Sequence, residues 1–138
     1  MWNAARLNPH GFACDTNTQM NLETLAFKLN KFEALYGKPL TLTNALRDMQ
    51  DHLRIYAEKN AKLRARGLPE VKVPLSSKHL FGQAADMADP KGELRDFIRA
   101  NKKAIQAIGF WFEKFESTVG WCHFQIVAPG SGAFEFIP

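Results

Sequence analysis

An aspartate lies inside a small, apolar stretch of this chain, Ala84-Ala85-Asp86-Met87-Ala88. Burying an unpaired carboxylate among apolar groups is expensive, so Asp86 must either face water or have a positively charged partner. His79 lies seven residues earlier, within the sequence SSKHLFGQAAD. The stretch predicts a short strand over residues 83–88, and the identity of the partner of Asp86 becomes the main question about function.

Apolar residues at helical spacing predict a helix over residues 21–36 and a second one over residues 48–65. In the second helix, the spacing predicts an inward face formed by Met49, Leu53, Tyr56 and Ala57. Asp89-Pro90 is typical of an N-cap followed by proline at the first helical position, so a third helix is expected after it. Residues 67–75 contain two prolines and are predicted to form a loop.

Two aromatic and β-branched segments close the chain, at residues 109–113 and 121–127. Seven residues join them, which favours an antiparallel hairpin. A further β-favouring stretch covers residues 39–45. The resulting order of α, β, α, β, α, β, β is typical of an α+β domain with a small antiparallel sheet packed against helices. We expect residues 1–138 to form a single domain.

The composition excludes several classes of protein. No apolar run approaches the roughly 20 residues needed to span a bilayer, so we expect no stable membrane insertion. The first 15 residues lack an apolar core of signal-peptide length, which predicts that no signal peptide is present. The net charge of +4 is spread out, and its densest stretches (residues 59–66 and 99–103) lie in predicted helices. These favour solvated helix faces over a nucleic-acid site. Cys14 and Cys122 are expected to be free thiols.

A zinc ion would compensate a buried Asp86, and His79 is a suitable first ligand beside it. His123 is the natural third candidate, since it lies in the apolar and aromatic stretch GWCHFQIV, where an unsatisfied imidazole is costly. A histidine satisfied within the core is the alternative interpretation. His10, in a predicted loop, and His52, on a polar helix, are weaker candidates.

Residues 77–86 fit the pattern SxHxxGxAxD, and Trp121-Cys122-His123 fits a later WxH. Together these motifs resemble the M15 zinc peptidases, which share a fold with the Hedgehog signalling domain. That family includes D-alanyl-D-alanine carboxypeptidases and dipeptidases, and phage endolysins that cleave L-alanyl-D-glutamate bonds. The resemblance extends more loosely from about Gly11 to the end. The stretch LTLTNALRD is similar to a family segment that carries an arginine, here Arg47.

The resemblance implies that zinc is bound by His79, Asp86 and His123, with water in the fourth position as in catalytic sites. It implies that Arg47 holds a substrate carboxylate or stabilises a developing oxyanion. Ser77 either orients substrate or bonds a turn amide. The implied activity is hydrolysis of peptide bonds in peptidoglycan stem peptides by zinc-activated water, in a phage or prophage setting. We expect a monomer that is made in the cytoplasm and acts on the cell wall after release or as part of a virion.

The chain departs from the family pattern three residues before His123, where well-known relatives carry an acidic general base and this chain has Gly120. Glu113 and Glu116 are the nearby carboxylates. If Glu113 pairs opposite Trp121 or His123, it shares a face with His123, whereas Glu116 lies in the connecting loop. We therefore favour Glu113 as the general base. The missing acid also leaves a second hypothesis, a non-catalytic zinc-containing module of the same fold that binds the cell wall or virion.

Overall fold

Five short strands form one sheet in the computed structural model, which describes residues 1–138. They are β1 (Leu42–Asn44), β2 (Ala84–Ala88), β3 (Trp111–Glu113), β4 (Trp121–Gln125) and β5 (Glu135–Phe136). The order across the sheet is β1-β2-β4-β3-β5. Strand β5 pairs with β3 in parallel, and the other three pairings are antiparallel. The sheet is therefore mixed, and the expectation of a purely antiparallel sheet is wrong at this edge. Strand β5 is too short for its sequence to show an alternating pattern.

Four α-helices and two short 3₁₀ helices complete this α+β domain. They are α1 (Thr16–Tyr36), α2 (Met49–Ala65), α3 (Glu93–Ala100) and α4 (Lys102–Ile108), with 3₁₀ helices at Lys78–Phe81 and Phe115–Ser117. Helix α1 begins before the predicted position because the Asp15 carboxylate accepts a hydrogen bond from the Thr18 N–H. None of the helices is both long and apolar enough to cross a membrane.

The helix predicted after Asp89 is divided in two at Asn101. Pro90 is not its first residue, because the chain makes a turn before α3 begins at Glu93. Asp89 nevertheless caps α3, since its carboxylate accepts hydrogen bonds from the N–H groups of Leu94 and Arg95. The thiol of Cys122 also approaches this carboxylate, with 3.6 Å between Sγ and Oδ2. Both cysteines are free, as expected.

Helix α2 has the predicted bounds and begins after the N-cap Asp48, but its predicted inward face is wrong at three of its four positions, and only Tyr56 is half-buried. Met49 and Leu53 are 44% and 45% exposed, and Ala57 is exposed. The buried residue of this helix is His52. Polar contacts join the helix to the loop that follows it. One example is the pair of hydrogen bonds that joins the Asn60 side chain to the backbone of Val71 in the following loop.

The hydrophobic core lies between α1 and one face of the sheet. Phe32 of α1 is fully buried, and its ring meets that of Phe124 edge to face, with 4.9 Å between the centroids. Ala85 and Met87 of β2 belong to the same apolar cluster. Because side chains alternate along a strand, the intervening Asp86 points to the opposite face of the sheet. That face is therefore available for a polar site.

Gly82 ends the first 3₁₀ helix in a left-handed conformation, with φ of 70°. A Cβ atom added here would lie 2.9 Å from Leu22 Cγ and 3.0 Å from the carbonyl oxygen of Thr18. Glycine is therefore required for its conformation and for close packing against α1. This contact fixes the turn between the 3₁₀ helix that carries His79 and strand β2.

We expect Gly82→Ala to destabilise the domain through two separate effects. The left-handed backbone costs about 1–2 kcal/mol with a Cβ, and the forced shift in packing costs about 1–3 kcal/mol more. Gly67→Ala is the matched control, because Gly67 has a φ of 69° and nothing within 4 Å of an added Cβ. Urea unfolding should show the larger loss for Gly82→Ala. Equal losses would contradict the packing argument.

Candidate metal centre

Two polar side chains face each other across the central strands of the sheet. Asp86 of β2 lies directly opposite His123 of β4 in the antiparallel register. Opposite residues share one face of a sheet, and the distance from Asp86 Oδ1 to His123 Nδ1 is 3.0 Å. Both side chains are buried. The strand register alone therefore brings together two of the three predicted metal ligands.

His79 completes this group from the 3₁₀ helix that precedes β2. Its Nε2 lies 3.3 Å from Asp86 Oδ1, and its ring centroid lies 5.2 Å from that of His123. One ligand atom from each of the three residues lies within 4.8 Å of the others. Two imidazoles and a carboxylate are groups that bind divalent transition metals. The cluster of His79, Asp86 and His123 could therefore hold a metal ion.

Hydrogen bonds on the far side of each imidazole determine which nitrogen faces the cluster. His79 Nδ1 lies 2.8 Å from the Ala45 carbonyl oxygen, which can only accept, so this nitrogen carries the proton of a neutral ring. His123 Nε2 lies 2.9 Å from Gln125 Oε1. The Gln125 amide nitrogen donates to the Val127 carbonyl, which leaves Oε1 as the acceptor. In neutral rings, His79 Nε2 and His123 Nδ1 therefore direct lone pairs toward the Asp86 carboxylate. A metal cation between these three groups could accept all of their lone pairs.

The electrostatics of the cluster agree with this need for a cation. Burial raises the pKa of Asp86, but hydrogen bonds from His123 and His79 outweigh that effect and hold its pKa well below the usual range. Burial lowers the pKa of His123, but the hydrogen bond and charge of Asp86 outweigh it and leave the pKa raised. Protons and a divalent metal ion compete for these same groups, so acid disfavours metal binding.

The cluster lies in a cleft of about 540 Å³ that Arg47, Ser77 and Glu113 also line. Arg47 precedes α2, and its backbone N–H donates to the His79 carbonyl over 3.2 Å. Its Nε donates to Asn44 Oδ1 over 3.4 Å. Ser77 is half-buried at the start of the first 3₁₀ helix and makes no capping hydrogen bond with its side chain. The cleft thus gathers the three candidate ligands together with Arg47 and Ser77.

The two candidate glutamates lie in different surroundings. Strand β3 pairs with β4 through Trp111 opposite Gln125 and Phe112 opposite Phe124, and the same register continued by one residue places Glu113 opposite His123. The distance from Glu113 Oε1 to His123 Nδ1 is 3.9 Å, and the Glu113 side chain is 21% exposed. Glu116 is exposed and pairs with Arg99, whose hydrogen bond lowers its pKa. The structure therefore brings Glu113, and not Glu116, to the cluster.

The remaining histidines lie outside the cluster. His10 is exposed and its ring lies beside that of Phe12. His52 is buried and contacts Arg47 rather than the candidate metal ligands. Sequence reasoning missed Gln125, although it lies two residues after His123 in a strand and so must share its face. It named His52 only as a weak metal candidate and missed its burial, of which the polar neighbours in the helix gave no sign.

Comparisons of the chain with protein-family models, with curated proteins and with solved structures find no match. The fold and the cluster define the class of site directly. It is a buried group of two histidines and one aspartate that could hold a metal ion, placed at the open face of a mixed sheet in an α+β domain.

We expect the chain to bind about one divalent metal ion through this three-ligand cluster. His79→Ala or Asp86→Ala should abolish binding, because two remaining ligands cannot hold the ion against water. Titration with Co²⁺, followed by its visible absorption, measures the stoichiometry and the loss. His10→Ala, which changes an exposed histidine outside the cleft, is the control and should bind normally. Full binding by both cluster variants would place the ion elsewhere.

Proposed function

We propose that this chain is a zinc-dependent peptidase of the M15 type that hydrolyses peptide bonds in peptidoglycan stem peptides. The observation that carries the proposal is the convergence of His79, Asp86 and His123 in an open cleft. These are the residues that the SxHxxGxAxD and WxH motifs single out. Three protein ligands leave one coordination position to an outside group, which is typical of catalytic rather than structural zinc. We extend the proposal to the Hedgehog/DD-peptidase fold, which the motif resemblance supports.

Zinc suits the two imidazoles and one carboxylate, and when bound it would supply Lewis-acid chemistry that acidifies water and polarises a carbonyl group. Glu113 is the chain's own proton carrier in this proposal. Its carboxylate faces the cleft beside His123 and can accept a proton from the attacking water and deliver it to the leaving amine. Ser77, on the cleft wall, orients the peptide.

The charge of the cleft supports a substrate that carries carboxylates. Arg47, Lys59 and Lys78 all line it. The ion pairs of lysine and arginine in this chain involve other residues, so these three cations are available to a ligand. Stem peptides have free carboxylates. The planar guanidinium of Arg47 suits either such a carboxylate or the oxyanion that forms during hydrolysis.

Gly120 favours a second candidate function. It lies in a left-handed turn with φ of 87° and has no side chain to transfer a proton. A module that binds the cell wall or a virion component through the same fold, with zinc but without catalysis, would need no acid there. For the peptidase, we propose that the chain reaches the wall after release from the cytoplasm or as part of a virion.

Purified peptidoglycan tests the proposal directly. The zinc-loaded protein should release new amino groups from it, and a chelator should abolish this release until zinc is restored. Mass spectrometry of the fragments then identifies the bond and separates endopeptidase from carboxypeptidase action. His79→Ala is the inactive control. Binding to sacculi without any release of amino groups would replace the peptidase with the binding module.

Glu113→Gln should leave the fold and metal binding intact but lower turnover by roughly 10²–10⁴-fold, which is the usual contribution of a positioned proton-transfer group. Glutamine is nearly isosteric with glutamate, so the loss would report proton transfer rather than packing. Glu116→Gln is the matched control, because it removes one nearby negative charge outside the cleft. Initial rates on peptidoglycan fragments compare the two. A larger loss for Glu116→Gln would contradict the assignment.

A further inference from the structure

His52 is the one fully buried side chain of a helix that is otherwise exposed or half-buried. It lies near the start of α2 and is 0% exposed. The mechanism proposed above does not use it, and it takes no part in the candidate metal cluster. Burying an imidazole is costly unless its ring nitrogens find hydrogen-bond partners. The partners of His52 therefore indicate why a histidine occupies this position.

Both ring nitrogens of His52 have a partner. Nε2 lies 2.8 Å from the carbonyl oxygen of Pro74, which can only accept, so Nε2 carries the proton. Nδ1 of the neutral ring is then an acceptor, and Nη1 of Arg47 donates to it over 3.3 Å. A guanidinium has no acceptor, so this assignment is the only one that satisfies both contacts with a neutral ring.

The contact with His52 holds one side of the Arg47 guanidinium, and Asn44 holds another. Nε of Arg47 donates to Asn44 Oδ1, and Nη1 donates to His52. Nη2 makes no hydrogen bond within the chain, and the residue lines the metal cleft. Two acceptors on different elements fix the plane of the guanidinium and leave donors for a ligand. A group fixed in this way loses less freedom on binding than a mobile arginine does.

We propose that His52 is a positioning residue that holds Arg47 in the orientation in which it binds a carboxylate or oxyanion of the substrate. This deepens the proposed peptidase function and rests on it, because hydrolysis is one of its two readouts. His52 acts on the substrate only through Arg47. Its bond to Pro74 anchors the loop that leads to Ser77, which is a structural role, so the test must separate the two hydrogen bonds.

Two amide substitutions separate them. In His52→Asn, the side-chain oxygen takes about the place of Nδ1 and keeps the acceptor for Arg47, but the bond to Pro74 is lost. In His52→Gln, the longer amide reaches Pro74 as Nε2 does, and the acceptor beside Arg47 is lost. Positioning predicts that His52→Asn keeps kcat/KM close to wild type. It predicts that His52→Gln and His52→Ala lose up to roughly 10²-fold, as a misplaced binding group does. Co²⁺ binding should be unchanged in all three.

A loop-anchoring role predicts the reverse order, with Gln active and Asn impaired, and that result would overturn the proposal. Equal effects of the two amides, whether both are harmless or both damaging, would overturn it as well. A double-mutant cycle with Arg47→Ala gives the coupling: His52→Gln should cost little once Arg47 is absent. Additive losses would contradict an action through Arg47.

A spectroscopic readout distinguishes failure of this proposal from failure of the peptidase function. In ¹⁵N spectra of the wild-type protein, His52 should show an unprotonated Nδ1 and a protonated Nε2. The Arg47 side-chain N–H signals, assigned with Arg47→Lys, should remain protected from exchange in His52→Asn and lose protection in His52→Gln. These results would support positioning even in an inactive protein. A protonated Nδ1 in the wild type would overturn it, even if every variant failed to fold.

Discussion

The register between β2 and β4 is the constraint on which the site depends. It places Asp86 directly opposite His123, on the face of the sheet that the apolar core leaves free. A slip of one residue in either strand would turn the polar side chain of that strand into the core and an apolar neighbour out of it, so Asp86 and His123 would no longer share a face. The packing of Phe124 against Phe32 therefore also fixes the site, because the two faces of these strands cannot be chosen independently. Core and site are two consequences of one pairing.

The other parts of the cleft are attached to this pair through the backbone. The Ala45 carbonyl accepts from His79, and the Arg47 N–H donates to the His79 carbonyl, so the segment before α2 and the first 3₁₀ helix are joined twice. Through these bonds a candidate metal ligand and a candidate substrate-binding residue share one rigid support. The same arrangement sets the tautomer of His79. Positioning and coordination thus depend on backbone groups that no motif specifies.

The sequence was sufficient to predict the α+β class and the two long helices. It also predicted that Glu113 shares a face with His123 if it pairs opposite Trp121 or His123. These follow from local periodicity and strand alternation, which neighbouring residues determine. It was not sufficient for the pairing of β2 with β4 or for the parallel strand β5, because strand order depends on packing between distant segments. The buried face of α2 was also missed. Apolar spacing indicated Met49 and Leu53, yet the side chain that this helix buries is the imidazole of His52. The roles of Glu113, Arg47 and Ser77 remain proposals.

The thiol of Cys122 illustrates how strongly the sheet separates its two faces. Cys122 is adjacent in sequence to His123, and a thiolate there would be a strong competitor for a soft metal ion. Alternation directs its sulfur to the core, and burial together with the nearby Asp89 carboxylate raises the pKa of the thiol. Oxidants and electrophiles react with thiolates, so this sulfur is chemically protected. Cys122 can therefore remain a free thiol in an oxidising medium, although it is the neighbour of the candidate metal ligand His123 in the same strand.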